Sequence, residues 1–440
     1  MKTILLTTFF AAFQVMCSAQ NTILPAQIAQ QPIPKTKTRQ RIYLLKEAPA
    51  TLSVVSTADT VPTPAVFKPT YQVGTIIHMF TSVSQGQTSA LQETTPGFEN
   101  KWRRSFNLYR ARLLFGAQLS RKGSVFFETD IPNVIGNGPN NSKNIKVSPI
   151  ILDAQYEHDF SSYFTVIAGQ QLVSHNRNGL QGAATLMAND FTYYQYPYNM
   201  FESDPLQGNF GRDLGINTRG FFLKDKLEYR LGAFTGRKFN GEGPIRVVGR
   251  VVYNFLDPEK DFYYAGTKLG AGKTVALAGG FDVQGTYKNV GADAFIDVPA
   301  GRLGSVTVNT AFTHLTGGTK TGTYSFATLM PRQNIEYLEL GYYFKETKLQ
   351  PWFKYENQHI NAEKIQVGLP ESASAEALND MNILKSNQRL GGGLNYFFSG
   401  FNTNLKASYT SVTYGRPDLT GQAEKAKFGE WWLQLQLFVF

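Results

Sequence analysis

The stretch that decides the fold is WWLQLQLFVF, residues 431–440. Successive side chains of a β-strand point to opposite faces of the sheet. One face of this segment therefore carries leucines and the other carries glutamines: Leu433, Leu435 and Leu437 against Gln434 and Gln436. Such alternation predicts a strand whose two faces meet different surroundings, one apolar and one aqueous.

Residues 1–19 predict a secretory signal peptide. Lys2 precedes an apolar run over 4–16, and residues 17–19 form a small-residue cleavage site. The run is too short to span a bilayer as a helix. Lipidation of Cys17 is the weaker alternative, because the bulky Met16 precedes it. Cleavage after residue 19 removes the single cysteine, which excludes disulfides and cysteine-bound metals from the mature chain.

The composition favours an all-β fold. No stretch beyond Met16 approaches the run of about 20 apolar residues that a membrane helix needs. Capped amphipathic helices are scarce. The aromatic residues, 13% of the chain, sit with the glycines in short alternating segments. Two architectures fit this pattern, a secreted sandwich array and a closed barrel.

Residues 20–66 differ from the rest of the chain. They are rich in Pro, Gln and Thr and carry a basic cluster over 35–41. Such a segment buries little apolar area, so we expect a flexible periplasmic N-terminal extension. Its short apolar patches, 42–45 and 52–55, could instead dock on a partner. Residues 67–440 then form the folded domain.

Sixteen alternating segments follow. They cover about 71–83, 104–119, 123–131, 147–158, 163–171, 213–223, 226–236, 245–256, 273–284, 287–298, 303–315, 334–345, 348–359, 387–398, 401–412 and 429–440. Short and long connections alternate between them, except at 257–272, which is long, and at 285–286, which is short. This sorting predicts a 16-stranded antiparallel transmembrane β-barrel with short periplasmic turns and long extracellular loops.

The two faces of the predicted strands support a membrane barrel. Over 104–119 one face is apolar, from Tyr109 to Leu119, and the other carries Arg104, Arg110 and Arg112. Apolar outside and wet inside is the membrane arrangement. Several aromatics are predicted to form girdles at the two lipid interfaces: Tyr109, Tyr253, Tyr342, Tyr343, Trp352, Trp431 and Trp432.

Basic residues on the predicted lumen face are the candidate pore-lining and anion-binding groups. They are Arg104, Arg110, Arg112, Arg219, Arg230, Arg246, Arg250 and Lys354, joined by Arg177 and Arg212 at the ends of a long loop. Rings of Arg and Lys favour anions. The alternation also places acids inside, about twelve against about ten basic residues. Pairing of these arginines with wall acids such as Glu128, Asp130 and Glu228 is therefore an equal alternative.

Five segments resemble the phosphate-selective porin O and P family of Gram-negative outer membranes. They are LYRARL at 108–113, GRDLG at 211–215, NFLDPE at 254–259, IDVP at 296–299 and QPWFKYE at 350–356. The resemblance implies a sixteen-stranded porin, usually a homotrimer, that passes small anions such as phosphate by passive diffusion. It also implies that the barrel assembly machinery recognises Phe440 as the C-terminal residue of the last strand.

The link over 172–212 is the longest between predicted strands, and loops of that length usually have a function. In sixteen-stranded porins the corresponding loop folds into the barrel, so the resemblance implies that this loop narrows the pore. An extracellular cap is the alternative.

Other chemistry is poorly supported. The chain has no HExxH, GxSxG or close histidine pair, so we expect no metal, no cofactor and no enzyme activity. A P-loop over 266–274 fails by spacing, and nucleic acid is not an expected partner of a secreted chain. The sequence therefore predicts an anion-preferring porin in the outer-membrane lipid. A non-conducting barrel that anchors a partner through 20–66 and its loops is the second reading, and a barrel enzyme is the third.

We predict that residues 20–66 are dispensable for barrel folding, because their composition cannot contribute a core. A chain that begins near Phe67 behind a working signal should insert and migrate as an SDS-resistant barrel. Failure to insert, with the full chain inserting under the same conditions, would show that the segment belongs to the fold.

Overall fold

A computed structural model describes residues 67–85, 102–131, 134–135, 149–192, 211–236, 244–285, 287–316, 332–360, 386–415 and 425–440. Within these ranges the strands are β1 Thr70–Gln85, β2 Trp102–Gln118, β3 Gly123–Asp130, β4 Val134–Ile135, β5 Ile150–Ser161, β6 Phe164–Leu172, β7 Arg212–Phe222, β8 Leu227–Phe234, β9 Arg246–Asn254, β10 Thr274–Gln284, β11 Tyr287–Ala300, β12 Gly304–Thr316, β13 Gln333–Phe344, β14 Leu349–Ile360, β15 Ser386–Phe401, β16 Thr403–Gly415 and β17 Lys425–Val439. Two single-turn 3₁₀ helices, Asn178–Leu180 and Ala183–Thr185, complete the described elements.

The strands form one closed antiparallel barrel. Consecutive strands pair, except that β3 pairs with β5 past the short β4. β17 pairs with β1 in a register that joins Thr75 to Val439 and Ser84 to Glu430. The two-residue β4 pairs with β2 beyond the end of β3, so it continues the line of β3. The described residues therefore contribute sixteen membrane strands. All sixteen predicted segments are confirmed, with ends shifted by a few residues.

The alternation of turns and loops is confirmed where the chain is described. Tight turns join β2 to β3, β7 to β8 and β15 to β16 on one rim. Gly400 supports the last of these with φ +53°, a left-handed conformation that favours glycine. Both exceptions are also present. The long segment 255–273 separates β9 from β10, and only residues 285–286 separate β10 from its antiparallel neighbour β11. The N-terminal residues 20–66 lie outside the described residues.

The outer face of the barrel is an apolar surface. Leu113 is 63% exposed and Leu277 is 50% exposed, and Leu433, Leu435 and Leu437 share the outward face of β17. The inward neighbours Gln434 and Gln436 are fully buried. Neither 3₁₀ helix in the described part of the chain is long and apolar enough to cross a membrane. The predicted orientation of the strand faces is thus confirmed, with the apolar side chains of β17 facing lipid.

A β-bulge in β2 overturns the prediction for two residues. His78 pairs with Arg110 but Met79 pairs with Leu108, so Tyr109 is the extra residue. An extra residue reverses the faces beyond it. Arg104 therefore pairs with Val83 and lies exposed on the outer face, whereas its neighbour in sequence Ser105 hydrogen-bonds the buried Ser82. The assignment of Arg104 to the lumen is wrong.

Four of the seven predicted girdle aromatics face the lumen instead. Tyr109 contacts Phe80 and Trp432 edge-on, with ring centroids 5.1 and 6.1 Å apart. Trp352 donates its indole N–H to Asn395 at 3.0 Å, and Tyr343 packs against the buried Phe397. Trp432, Trp352 and Tyr343 occupy lumen-facing positions of their strands. The girdle prediction is wrong for these residues and for Tyr109, because aromatic residues also pack inside the lumen. The remaining three lie on the outer face: Tyr253, Tyr342 and Trp431.

We predict that the outer face tolerates charge less well than the lumen face. Leu277→Arg should lower the free energy of unfolding by about 2–4 kcal/mol, because it places a charge in the hydrocarbon. The matched Gln118→Arg, on the lumen face and partly exposed, should change it little. Urea titration of refolding into vesicles measures both, and equal losses would contradict the assignment of faces.

Candidate functional site

Two segments enter the barrel and meet inside it. The first, 173–192, follows β6, and we call it the lumen loop. The second, 255–273, joins β9 to β10, and we call it the lumen turn. The Gly182 N–H donates to the Tyr264 carbonyl at 2.9 Å, and the Tyr264 N–H donates to the Leu180 carbonyl at 2.9 Å. The expected entry of the long loop into the barrel is therefore observed for 173–192; residues 193–210 lie outside the described residues.

Close packing and one buried ion pair hold the lumen loop to the lumen turn. A Cβ added to Gly266 would lie 2.7 Å from the Thr185 carbonyl oxygen, so glycine is needed at this contact. Arg177 binds Glu259 at 2.6 Å and donates to the Ala265 carbonyl at 2.8 Å. Burial alone would raise the pKa of the Glu259 carboxyl, but Arg177 and Lys268 hold that pKa below its ordinary value. Arg177 is thus a tie between the two segments.

Side chains of the last four strands clamp the lumen loop through its carbonyl groups. The Lys406 side-chain nitrogen donates to the Leu186 and Ala188 carbonyls at 2.5 and 3.1 Å. Lys354 donates to those of Asp190 and Phe191 at 3.1 and 2.7 Å. Two amides complete the clamp, Asn395 on the Met187 carbonyl at 2.7 Å and Gln436 on the Ala184 carbonyl at 2.9 Å.

The far end of the lumen loop is anchored on β2. The Asp190 carboxylate accepts hydrogen bonds from the Tyr109 hydroxyl and from Arg110, the latter at 2.5 Å. Burial would raise the pKa of Asp190, but the Arg110 guanidinium and the Tyr109 hydroxyl bring it below its ordinary value. The carboxylate is therefore charged at neutral pH and keeps its hold on Arg110.

Each of the nine lumen-facing candidates has a carboxylate partner within 4 Å. The pairs are Arg110 with Asp190, Arg112 with Glu128 and Asp130, Arg177 with Glu259, Arg212 with Asp153, Arg219 and Arg230 with Glu228, Arg246 with Asp213 and Asp282, Arg250 with Asp293, and Lys354 with Glu339 and Glu356. The expected pairing of Arg112 with Glu128 and Asp130 is observed, at 2.8 Å to each. The candidates therefore form several ion-pair clusters.

These pairs follow from burial. All nine cationic side chains are less than 10% exposed, and a buried charge without a partner is costly. Arg219 shows how the remaining donors are used, because its guanidinium also donates to the Lys260 and Asp261 carbonyls of the lumen turn. The lumen arginines thus have structural contacts, and their role in anion binding stays a prediction.

Sequence reasoning missed Lys406, Tyr109 and Asp190. Lys406 lies on the lumen face of β16, two residues after the inward Asn404. This two-residue spacing was the one feature of the sequence that could have placed Lys406 in the lumen. Nothing in the sequence places a lysine against carbonyl groups that lie 218 and 220 residues away. Among the described residues, no group of three or more His, Cys, Asp or Glu is arranged to hold a metal ion.

The comparisons with known proteins bear on the fold. No protein-family model matches the chain, and no curated protein matches it. OmpF of Salmonella typhi, solved in complex with daunomycin, is 11% identical with a TM-score of 0.50, over 83% of this chain and 97% of that one. OprB of Pseudomonas putida gives the same identity and TM-score over 84% and 94%. An anion-selective porin from Comamonas acidovorans is 10% identical with a TM-score of 0.49, over 84% and 100%.

The first two likenesses show that the chain has the fold of outer-membrane porins. Closed barrels with apolar outer faces span the bilayer without leaving backbone groups unpaired in lipid. The chain is accordingly a multi-pass β-barrel of the outer membrane.

We predict that Lys406→Met loosens the lumen loop without unfolding the barrel. It removes two hydrogen bonds that the Lys406 side chain donates to carbonyl groups of the loop, each worth about 0.5–1.5 kcal/mol. Deuterium uptake over 184–191 should rise, while uptake in β16 stays low. Lys427→Met, which changes an exposed lysine on β17, is the matched control. Equal protection of 184–191 in both variants would show that Lys406 does not hold the loop.

Proposed function

We propose that the protein is a passive diffusion channel for small solutes across the Gram-negative outer membrane. The observation that carries the proposal is the lumen loop, which Lys354, Lys406 and Gln436 fix inside a closed barrel with a polar, charged interior. A barrel that served only as an anchor would need no such internal framework. A narrowed, wet lumen limits the size of what passes, since pore width and lining charges set selectivity.

Within this proposal we infer a slight preference for anions. The resemblance to the phosphate-selective porins and the guanidinium groups along the lumen support the preference. Its strength is limited because these groups are matched by carboxylates, as at Arg250 with Asp293 and Arg246 with Asp282. Paired charges largely cancel at a distance, so a passing phosphate would meet a weak field. A strictly phosphate-specific channel is the narrower form of the proposal and rests on the resemblance alone.

Two further parts of the proposal also rest on that resemblance. One is a homotrimer, which cross-linking of the purified protein in detergent tests. The other is recognition of Phe440 by the barrel assembly machinery. The second reading is a non-conducting barrel that anchors a partner through residues 20–66, which lie outside the described residues, and through its loops. Planar-bilayer conductance separates that reading from a channel directly.

We predict opposite shifts of ion selectivity from removing cations and from removing an anion in the ion pairs of β2. Arg110→Ala with Arg112→Ala leaves Asp190, Glu128 and Asp130 less compensated, so the zero-current potential in a salt gradient should move toward cation preference. Asp190→Asn should move it toward anion preference. A unit charge at about 4 Å in water is worth roughly 1 kcal/mol, or about fivefold in the permeability ratio.

The matched control is Arg302→Ala with Lys345→Ala, which removes two exposed cations from the turns. It should shift the potential less than either lumen change. Unchanged potentials in both lumen variants would show that ions do not pass this part of the barrel.

A further inference from the structure

A cavity of about 260 Å³, partly open to solvent, lies between the first part of the lumen loop and the barrel wall. Val173 and Ser174 line it on the side of the loop. Phe234 of β8 and Val248 of β9 line it on the side of the wall. The cavity therefore separates the loop from the wall just after the loop leaves β6.

Two arginines of the wall stand side by side at this cavity. Arg230 of β8 and Arg250 of β9 lie directly opposite each other in the register of the two strands, and both line the cavity. They are only 5% and 3% exposed. The Cβ atoms of opposed residues in a sheet are about 5 Å apart, so like charges at such positions repel each other. This pair of guanidinium groups therefore needs anions close to it.

Carboxylates compensate only part of each guanidinium group. The Nε of Arg230 donates to Glu228 at 2.7 Å, and the two terminal nitrogens of Arg250 donate to Asp293. Glu228 is shared, because it also binds Arg219. The Nη2 of Arg230 and the Nε of Arg250 are buried and have no hydrogen-bond partner among the described residues. Since a buried donor without an acceptor is costly, both donors require an acceptor in the cavity.

The rest of the lining determines which kind of acceptor fits. Among the described residues that line the cavity, none carries a carboxylate. The Ser174 hydroxyl donates within the lumen loop, which leaves the Asn217 amide as a further donor. Val173, Phe234 and Val248 form an apolar cluster. An oxyanion carries several oxygens that each need donors, whereas a single-atom anion is satisfied by two or three donors that converge on it. The lining therefore suits a halide better than a phosphate or a carboxylate.

We propose that a halide ion binds in this cavity between the Nη2 of Arg230 and the Nε of Arg250. The ion accepts hydrogen bonds from both guanidinium groups and from the Asn217 amide, and it contacts the side chains of Val173 and Val248. Chloride is the halide that physiological salt, about 0.15 M, supplies. The site is independent of the proposed channel function, because no solute has to pass the barrel for the ion to bind.

The ion reinforces the attachment of both internal segments to the wall. Arg250 donates to the His175 carbonyl of the lumen loop at 3.0 Å, and Arg230 donates to the Phe262 carbonyl of the lumen turn at 3.0 Å. A bound anion offsets the repulsion between the two guanidinium groups, so both can keep these bonds. Halide binding should therefore make opening of the first part of the lumen loop rarer.

Hydrogen exchange of the purified full chain in detergent tests the proposal in sodium chloride, bromide, gluconate and phosphate at equal ionic strength. Deuterium uptake over 173–181, measured relative to β12, should fall in chloride and bromide and stay high in gluconate, which is too large for the cavity. At ten times the dissociation constant of the halide, opening should be about tenfold rarer. Equal uptake in chloride and gluconate would overturn the site, because water would then satisfy both donors. Equal protection by phosphate would overturn the preference for a halide.

Two variants of β9 connect the halide effect to the cavity. Val248→Leu leaves both arginines in place and adds one methylene to the lining, which should weaken halide binding about tenfold or more. Val252→Leu is the matched control, at a buried lumen position of β9 outside the lining, and should keep the full halide effect. An unchanged halide effect in Val248→Leu would contradict the placement of the ion.

Anomalous scattering from wild-type crystals grown in sodium bromide decides the matter if Val248→Leu does not give an SDS-resistant barrel. A bromide peak should lie within hydrogen-bond reach of Arg230 and Arg250. A cavity that holds only water in such crystals would overturn the proposal.

Discussion

The seam between β1 and β17 is the contact on which the rest of the molecule depends. It joins the two ends of the sheet over the whole span from Thr75 and Val439 to Ser84 and Glu430. Without it, two rows of backbone N–H and C=O groups would face hydrocarbon, where each unpaired group costs several kcal/mol. Closure then forces every strand to divide its side chains between lipid and lumen, and all charges that cannot enter lipid must crowd into the lumen.

That crowding explains why the lumen arginines do not make a simple cationic pore. A guanidinium within a closed barrel is nearly buried, as Arg219 and Arg246 are, and a buried cation is stable only beside an anion. The acids come from neighbouring inward positions, as Glu228 does for Arg219 and Asp282 does for Arg246. The same confinement brings the lumen loop within reach of wall side chains, so Lys406 donates its hydrogen bonds to carbonyl groups of the loop.

The strands of the barrel could be predicted from the sequence, but the long-range contacts inside the barrel could not. Strand positions and faces follow from a two-residue period that survives any error of a few residues at the ends. The bulge at Tyr109 reverses the phase of that period within β2. Arg104 was misplaced because one phase was applied to the whole segment 104–119. Pairs between adjacent strands, such as Arg112 with Glu128, were predictable. The clamp of Lys406 and the anchor of Asp190 were not, because no local pattern joins residues so far apart in the chain.

The clamp on the lumen loop comes from the last four strands, and this constrains the order in which the barrel assembles. The lumen loop is made early in the chain, between β6 and β7, but its carbonyls are held by β14, β15, β16 and β17. Contacts over 163 to 252 residues form only after the intervening chain has been organised, since closing so long a loop has a large entropic cost. A barrel that lacks its last strands therefore cannot hold the lumen loop in place, and the lumen acquires its final width in the step that closes the barrel.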